Sequence, residues 1–316
     1  MLLLLIFGFL FILFCNPCLY SCITWNYSLM AFLGLLGYTN IVSFSILFLL
    51  YMILPATIIK EILIFFKDKI RELFKERISK TESNISKTFQ IHVREPIPEK
   101  SINIWHPHGV SGVTPVIHNG YRITSSEYQP TKGVVHYGYF MLPFIRDIIP
   151  LLNAIPSDEY SIRDTLKSES ISITLGGVDE MSRGSSKDLQ LVIKKRRGIF
   201  KIALEMGIPI VPVLTYGEQE IFPESDLEIM KCYNDWLYTY FRFRIPFPTL
   251  SSVLNWTSLS QTPLEPIQTY TGKPILTKKI LNPTEKQIKK LREVYIQRVQ
   301  NLFRETRPPG YTMEII

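Results

Sequence analysis

The chain opens with a long apolar block. Residues 1–59 contain no Asp, Glu, Lys or Arg, and Lys60 is the first charged residue. Because one helical span of a bilayer needs about 20 apolar residues, the block is long enough to cross a membrane twice. It lacks the positive n-region of a secretory signal, since residues 2–15 are uncharged. The pattern predicts a retained N-terminal transmembrane helical hairpin, and a single span with an apolar interfacial segment is the alternative.

A basic amphipathic helix is predicted directly after this block. Residues 60–80 hold seven Lys or Arg against four Asp or Glu. Apolar side chains recur on one face at helical spacing, at Ile62, Phe66, Ile70, Leu73 and Phe74. Such a helix beside a span lies on an anionic cytoplasmic surface, and the positive-inside rule places the remainder in the cytosol. We therefore expect residues 60–100 to be this helix and a connector, and residues 101–316 to be a cytosolic domain.

Beyond the connector, short apolar runs alternate with helical segments. Four runs end in a glycine or a polar turn: INIWHPHG from residue 102, GVVHYG from 133, ISITLGG from 171 and IPIVPVLTYGE from 208. Ser157-Asp158 is a candidate N-cap for one helix, Gly207 ends a second, and Thr284 with Gln287 forms a capping box for a third. This alternation predicts an α/β fold with a mixed, partly parallel sheet and flanking helices.

Charge and cysteine content narrow the class of partner. The net charge is +7, which suits nucleic acid, a membrane surface or a phosphate-bearing substrate. No zinc-finger spacing or aromatic RNA-binding motif is present, so we expect no nucleic-acid partner. Three of the four cysteines lie in the apolar block, which argues against a disulfide framework.

The candidate chemistry follows the first run, at His106-Pro107-His108-Gly109. Ligands of α/β sheets bind just beyond the carboxyl ends of the strands, which is where this motif falls. An imidazole titrates near neutral pH, so His106 is the best candidate for a general base. His108 or nearby backbone N–H groups are candidates to stabilise an oxyanion. Pro107 stiffens the turn and Gly109 allows a close approach, but the residues leave open which histidine has which role.

Two further sets of residues stand at predicted strand or helix ends. Gly176 and Gly177 bend the chain before Asp179 and Glu180, and we favour Glu180 as the carboxylate that orients a histidine or holds an acceptor hydroxyl. A turn or helix cap is the alternative role. The basic run KKRRG, residues 194–198, suits phosphate groups, although most charge runs are simply solvated.

Other interpretations of the histidine pair compete with acid–base catalysis. A His-x-His pair can bind zinc, but no carboxylate follows before Glu127, so we expect no metal. A purely structural histidine pair is a second possibility. Ser111 is not in a Gly-x-Ser-x-Gly elbow, so a covalent intermediate is not suggested and direct transfer is favoured.

Five motifs in order resemble the type-2 diacylglycerol acyltransferase family, which includes monoacylglycerol and wax-alcohol acyltransferases. They are HPHG at 106–109, PFIRD at 143–147, GGVDE at 176–180, RRGIFKIALEMGIPIVPVLTYGE at 196–218 and GKPI at 272–275. The resemblance implies transfer of a fatty acyl group from acyl-CoA to diacylglycerol or a related neutral lipid. It implies no cofactor, an endoplasmic reticulum membrane location with a cytosolic catalytic part, and lipid-droplet association. A homo-oligomer is a further expectation.

The resemblance carries over site residues position by position: His106, Pro107, His108, Gly109, Glu180, Arg196, Gly198, Ala203, Gly217 and Glu218. Candidate site residues follow from this carry-over and from the residues singled out above. The catalytic candidates are His106, His108 and Glu180, and the candidates for substrate binding are Pro107, Gly109, Arg146, Gly176, Gly177, Arg196, Gly198 and Glu218. Arg146 stands alone in an apolar segment and is either a structural ion pair or a ligand contact.

The sequence departs from the family pattern in a few places. Ile199 and Tyr216 replace usual phenylalanines, which leaves the acceptor open among diacylglycerol, monoacylglycerol and a fatty alcohol. Related glycerophosphate acyltransferases have an Asp five residues after the histidine, where this chain has Ser111, so Glu180 is our candidate for the carboxylate partner. The alternatives from other classes are a membrane-anchored metallohydrolase and a non-catalytic lipid-surface protein.

Overall fold

The protein is described from a computed structural model. The described residues are 85–109, 112–120, 128–141, 149–181, 187–221, 228–241 and 266–316, with single residues Ile58, Glu61, Ile62, Ile64, Phe65, Arg146 and Arg244. Except for Ile58, the predicted hairpin of residues 1–59 lies outside these ranges, as does most of the predicted amphipathic helix. Within the described ranges, no helix has both the length and the apolar content needed to cross a bilayer.

Most of the strands form one mixed sheet. The strands are β1 Phe89–Val93, β2 Ile102–His106, β3 Lys132–Val135, β4 Ala154–Pro156, β5 Ile171–Thr174, β6 Asp188–Leu191, β7 Ile210–Tyr216, β8 Ile267–Thr271 and β9 Thr312–Ile315. Seven of them pair in the order β1-β8-β7-β2-β5-β3-β4, and β6 pairs with β9 separately. Every neighbouring pair is parallel except β7 with β8. The predicted α/β class with a partly parallel sheet is confirmed.

The helices flank this sheet. They are α1 Val113–Pro115, α2 Glu159–Thr165, α3 Val178–Met181, α4 Gly198–Met206, α5 Glu218–Ile221, α6 Glu228–Phe241 and α7 Glu285–Thr306. A π-helical turn, Val116–Gly120, follows α1 directly. Asp158 caps α2, Gly207 ends α4 with a φ of 70°, and Thr284 with Gln287 forms the capping box of α7. These three predicted helix ends are confirmed.

The core forms because strand residues alternate between the two faces of the sheet. Ile102 and Ile104 of β2 pack on one face with the buried stripes of α4 and α7, whereas Trp105 packs on the other face with Tyr128. The apolar stripe of α7 is buried at five positions: Ile288, Leu291, Tyr295, Val299 and Leu302. All five residues of β2 and all seven of β7 are buried, as befits central strands of a covered sheet.

Two elements lie where the sequence gave no strong pattern. Strand β1 falls within residues 60–100, for which an amphipathic helix and a connector were predicted, so the sheet begins at Phe89 and not beyond Ser101. Its residues alternate between buried and less buried positions. The segment therefore mixes polar and apolar residues and lacks the continuous apolar run that indicated the other strands. Helix α6 lies in a region for which no element was predicted.

Candidate active site

Three turns meet at the carboxyl end of the central strands. Strand β2 lies between β5 and β7, so the turn after His106 is flanked by the turns that follow Thr174 and Tyr216. These turns carry the HPHG, GGVDE and TYGE motifs, and the structure brings the three together. The peptide bond between His106 and Pro107 is cis.

His106 faces the protein interior. It shares a face of β2 with Ile102 and Ile104, and it is 1% exposed. Its Nε2 lies 2.9 Å from the hydroxyl of Tyr295, a buried residue of α7, and its Nδ1 lies 3.7 Å from Glu180 Oε1. Both ring nitrogens therefore face protein groups.

Glu180 links His106 to the next histidine. The carboxylate is buried at the start of α3, and its Oε1 accepts the backbone N–H of His108 at 2.7 Å. Its Oε2 accepts the backbone N–H of Val192 at 2.9 Å. Burial alone would raise the pKa of this carboxyl, but His106 and the two backbone donors outweigh burial and hold the pKa below its usual range. Glu180 is therefore an anion that holds the HPHG turn.

The glycine pair makes room for that carboxylate. A Cβ added to Gly176 would lie 1.9 Å from Oε2 of Glu180, far inside any tolerable contact. Gly177 has a φ of 54°, a left-handed conformation that glycine adopts without strain. The Gly-Gly-x-x-Glu spacing thus has a steric cause, because the glutamate folds back over the first glycine.

His108 is the histidine that reaches the cavity. It is partly exposed, and its Nδ1 donates to the carbonyl oxygen of Gly109 at 2.8 Å. Burial lowers the pKa of His108, so the ring is neutral near pH 7. A neutral imidazole that is protonated on Nδ1 carries its lone pair on Nε2.

A cavity of about 640 Å³ lies against His108. One part of its wall is apolar and is formed by Pro115, Val116, Val134, Ile149, Leu152 and Ile173. Another part is polar, with Asp179, Arg196, Tyr238 and Arg244. The volume and the mixed lining suit a ligand with both an apolar chain and a charged or polar group.

The polar wall is held together by a chain of contacts. Arg196 donates to Asp179 Oδ2 at 2.9 Å and also to the carbonyl oxygen of Gly176. Tyr238 donates its hydroxyl to Asp179 Oδ1 at 2.6 Å, and the guanidinium of Arg244 lies 5.1 Å from the centre of the Tyr238 ring. These contacts hold two arginine side chains in the cavity wall.

Glu218 lies against Gly109 and the first residues of α1. It is 3% exposed. Its Oε1 accepts the backbone N–H of Val113 at 2.6 Å, and its Oε2 accepts the backbone N–H of Thr114 at 3.1 Å and the Thr114 hydroxyl. Burial raises the pKa of Glu218 to about 7, although these three donors favour the charged form.

The geometry does not support the metallohydrolase alternative. In the part of the chain that the structure describes, no group of three or more His, Cys, Asp or Glu side chains is placed to hold a metal ion. His106 Nε2 contacts Tyr295, while His108 Nδ1 contacts Gly109, so the two rings make separate sets of contacts.

Comparison with known proteins agrees with the resemblance. A family model described as "Diacylglycerol acyltransferase" matches residues 98–309, which is more than half of the chain. The chain belongs to the diacylglycerol acyltransferase family. It is 27% identical over 214 residues to human 2-acylglycerol O-acyltransferase 1, covering 64% of this chain and 63% of that protein. It is 26% identical over 215 residues to diacylglycerol O-acyltransferase 2B of Umbelopsis ramanniana, covering 63% and 61%.

One solved structure is similar at lower identity. It is the 1-acyl-sn-glycerophosphate acyltransferase PlsC of Thermotoga maritima, with a TM-score of 0.41, 13% identity, and coverage of 75% of this chain and 82% of that one. The chain spans less than two thirds of the length of the two curated relatives named above.

Only some of the candidate residues in the motifs of the diacylglycerol acyltransferase family line the cavity. Of the candidate residues, the cavity is lined by His108, Gly177 and Arg196, whereas Pro107 and Gly109 are buried within the turn. Arg146 is partly buried and Gly198 is exposed at the first residue of α4, and neither lines the cavity. Tyr238 and Arg244 were not found by sequence reasoning, because their region showed no recognisable motif.

Proposed function

We propose that the protein is a membrane-bound O-acyltransferase that moves a fatty acyl group from acyl-CoA to the hydroxyl of diacylglycerol, giving triacylglycerol. The observation that carries the proposal is that His108, whose Nδ1 donates to the Gly109 carbonyl oxygen and whose pKa is lowered by burial, lines a cavity of about 640 Å³ in a member of the diacylglycerol acyltransferase family. Monoacylglycerol and a fatty alcohol are the alternative acceptors. Acyl-CoA is a co-substrate, and the reaction needs no cofactor.

His108 is the general base in this proposal. The base must reach the hydroxyl proton and must be unprotonated near pH 7. His108 lines the cavity and has a lowered pKa, which favours the unprotonated ring. His106 is the alternative base, but Tyr295 lies against its Nε2 and Glu180 against its Nδ1. We therefore assign His106 and Glu180 to holding the turn, and His108 to proton transfer.

The reaction then runs without a covalent enzyme intermediate. Nε2 of His108 takes the proton of the acceptor hydroxyl as the oxygen attacks the thioester carbonyl carbon of acyl-CoA. The carbonyl oxygen becomes an oxyanion, for which backbone N–H groups of the turn after His108 are the proposed donors. Collapse breaks the carbon–sulfur bond, and the departing thiolate takes the proton back from the His108 imidazolium. The products are the new ester and free CoA.

The polar and apolar lining residues of the cavity suit the two parts of acyl-CoA. Arg196 lies in the polar wall and its guanidinium suits the phosphate groups. The apolar wall that includes Val134 and Ile173 suits the fatty chain. Asp179 and Tyr238 hold the Arg196 guanidinium and the polar wall in place.

The site of action that we propose is the cytosolic face of the endoplasmic reticulum membrane, with lipid droplets as a second location. The support is the uncharged block of residues 1–59 followed by a basic segment. A membrane location brings the enzyme to the phase in which both lipid substrates dissolve. Protease protection in microsomes tests the topology, and a protected catalytic domain would contradict it.

Expression in cells that lack neutral-lipid synthesis tests the activity. We expect the wild-type chain to restore triacylglycerol, and the His108→Gln variant at equal abundance to restore none. Accumulation of diacylglycerol alone would identify a monoacylglycerol acceptor, and wax ester would identify a fatty alcohol. Absence of every one of these products, with the wild-type protein present in membranes, would reject the acyltransferase proposal.

A further inference from the structure

Glu218 is a buried residue that packs against Gly109 of the HPHG turn. Strand β7 ends at Tyr216, Gly217 turns the chain with a φ of 91°, and Glu218 begins α5. The side chain is buried and is not among the residues that line the cavity. A buried carboxylate is costly unless donors surround it, so its partners identify what it does.

Its partners form the start of α1. The N-cap residue Gly112 has a left-handed conformation, with a φ of 59°, and provides no side-chain cap. The first N–H groups of a helix need an acceptor, which is usually the N-cap side chain. Here Glu218 supplies both acceptor oxygens to Val113 and Thr114, from 105 and 104 positions away in the chain.

Gly109 makes a second contact with the same side chain. A Cβ added to Gly109 would lie 2.7 Å from Cγ and 3.1 Å from Oε1 of Glu218, so only a glycine backbone fits there. The carbonyl oxygen of Gly109 accepts the Nδ1–H of His108. The residue that sets the tautomer of His108 is therefore packed directly against Glu218.

The chemistry at this point needs a carboxylate. Two backbone N–H groups and one hydroxyl donate to its two oxygens. A glutamine has the same size, but its amide NH₂ is a donor and would face one of the two backbone N–H groups. The Thr114 hydroxyl can rotate to accept from the amide, whereas a backbone N–H cannot.

We propose that Glu218 is a positioning residue that holds His108 in its Nδ1-protonated form through Gly109 and the start of α1, and that it does not contact the substrate. The inference rests on the proposed acyltransferase function, in which His108 Nε2 is the base. It gives the Gly-Glu pair at the end of β7 a role in aligning the base.

The Glu218→Gln variant tests the proposal in two ways. We expect kcat to fall on the order of 10²-fold, because a small misplacement of a catalytic group has an effect of that size. We expect KM for acyl-CoA to change less than about twofold, since an aligning residue affects the transition state more than ground-state binding. ¹⁵N NMR of histidine-labelled protein, which has five histidines, should show His108 change from one tautomer to a mixture.

Glu205→Gln is the matched control. Glu205 pairs with Arg163 and with Lys201 and does not line the cavity. It should lower the melting temperature and leave both kcat and the His108 signal unchanged. A wild-type kcat and tautomer in Glu218→Gln would overturn the proposal. So would an equal loss of kcat in Glu205→Gln at the same loss of stability.

A second variant keeps the test decisive if Glu218→Gln does not fold. Thr114→Val removes the hydroxyl donor and keeps both backbone N–H bonds to Glu218. A severalfold lower kcat with partial loss of the Nδ1–H signal is expected, and no change in either would overturn the inference. The NMR result does not depend on turnover. An inactive wild-type protein with a Glu218-dependent His108 tautomer would therefore reject the proposed function alone.

Discussion

Gly176→Ala adds only one methyl group, but it should be among the most damaging substitutions of that size in this protein. The new Cβ would lie 1.9, 2.3 and 2.4 Å from three atoms of Glu180, and real Cβ contacts do not fall below 3.0 Å. Gly176 lies in the turn after β5, where the sheet holds the backbone, so the side chain of Glu180 must move instead. It would then lose its bonds to the backbone N–H groups of His108 and Val192.

The magnitude follows from those two bonds. Each hydrogen bond to a buried carboxylate contributes about 1.5–3 kcal/mol, so the expected loss is about 3–6 kcal/mol in the free energy of unfolding. Domains are stable by only about 5–15 kcal/mol, so the variant should melt far below the wild type and release little CoA. Thermal unfolding in detergent and a thiol-trapping assay of CoA release measure the two effects.

Gly198→Ala is the matched control for stability. Gly198 is exposed at the start of α4, and nothing lies within 4 Å of its added Cβ. We expect a gain of at most about 1 kcal/mol, because alanine restricts the unfolded chain. If Gly176→Ala lost less than about 1 kcal/mol and kept most of its activity, the steric explanation of the Gly-Gly-x-x-Glu motif would be wrong.

Three further predictions concern Tyr295, His108 and Glu218. Tyr295→Phe leaves Nε2 of His106 buried without its hydroxyl partner, so chemical denaturation should show a loss of about 1–3 kcal/mol; an unchanged midpoint would contradict this. His108 has a pKa below its usual 6.5, and Glu218, which aligns it, has a pKa of about 7. As the pH drops, kcat/KM for acyl-CoA should therefore fall in two steps, first near pH 7 as Glu218 is protonated and again below pH 6.5 as His108 is protonated. A profile that stays level through both ranges would contradict the two assignments. Glu218 has a pKa raised from 4.5 to about 7, so the folded state binds the extra proton between these values and the free energy of unfolding should fall as pH rises from 4.5 to 7. That slope should be absent in Glu218→Gln.

The assembly of the site could be predicted from sequence because parallel strands bring their carboxyl ends together. The turns after β2, β5 and β7 were each marked by glycine and polar residues, and the sheet order places them side by side. Glu180 was predicted to pair with the histidine motif, and it lies 3.7 Å from His106 and bonds to the backbone of His108.

The division of labour between the two histidines was harder to predict. His106 continues the alternation of Ile102 and Ile104, which indicates the core face, but its partner Tyr295 comes from α7, 189 positions away. A histidine beyond the end of the strand follows no such alternation, so the exposure of His108 to the cavity could not be deduced from spacing. The polar wall of the cavity was also hard to predict, because Tyr238 and Arg244 come from a segment without a recognisable motif.

The central claim is that His108 performs proton transfer in an acyltransferase, and paired histidine variants test it most directly. Purified protein in lipid nanodiscs is given acyl-CoA and diacylglycerol, and triacylglycerol and CoA are measured for the wild type, His108→Gln and His106→Gln. We predict that His108→Gln keeps the wild-type melting temperature and KM while kcat falls about 10²–10⁴-fold. His106→Gln should instead lose stability together with activity. A His108→Gln protein that forms triacylglycerol at the wild-type rate would contradict the account.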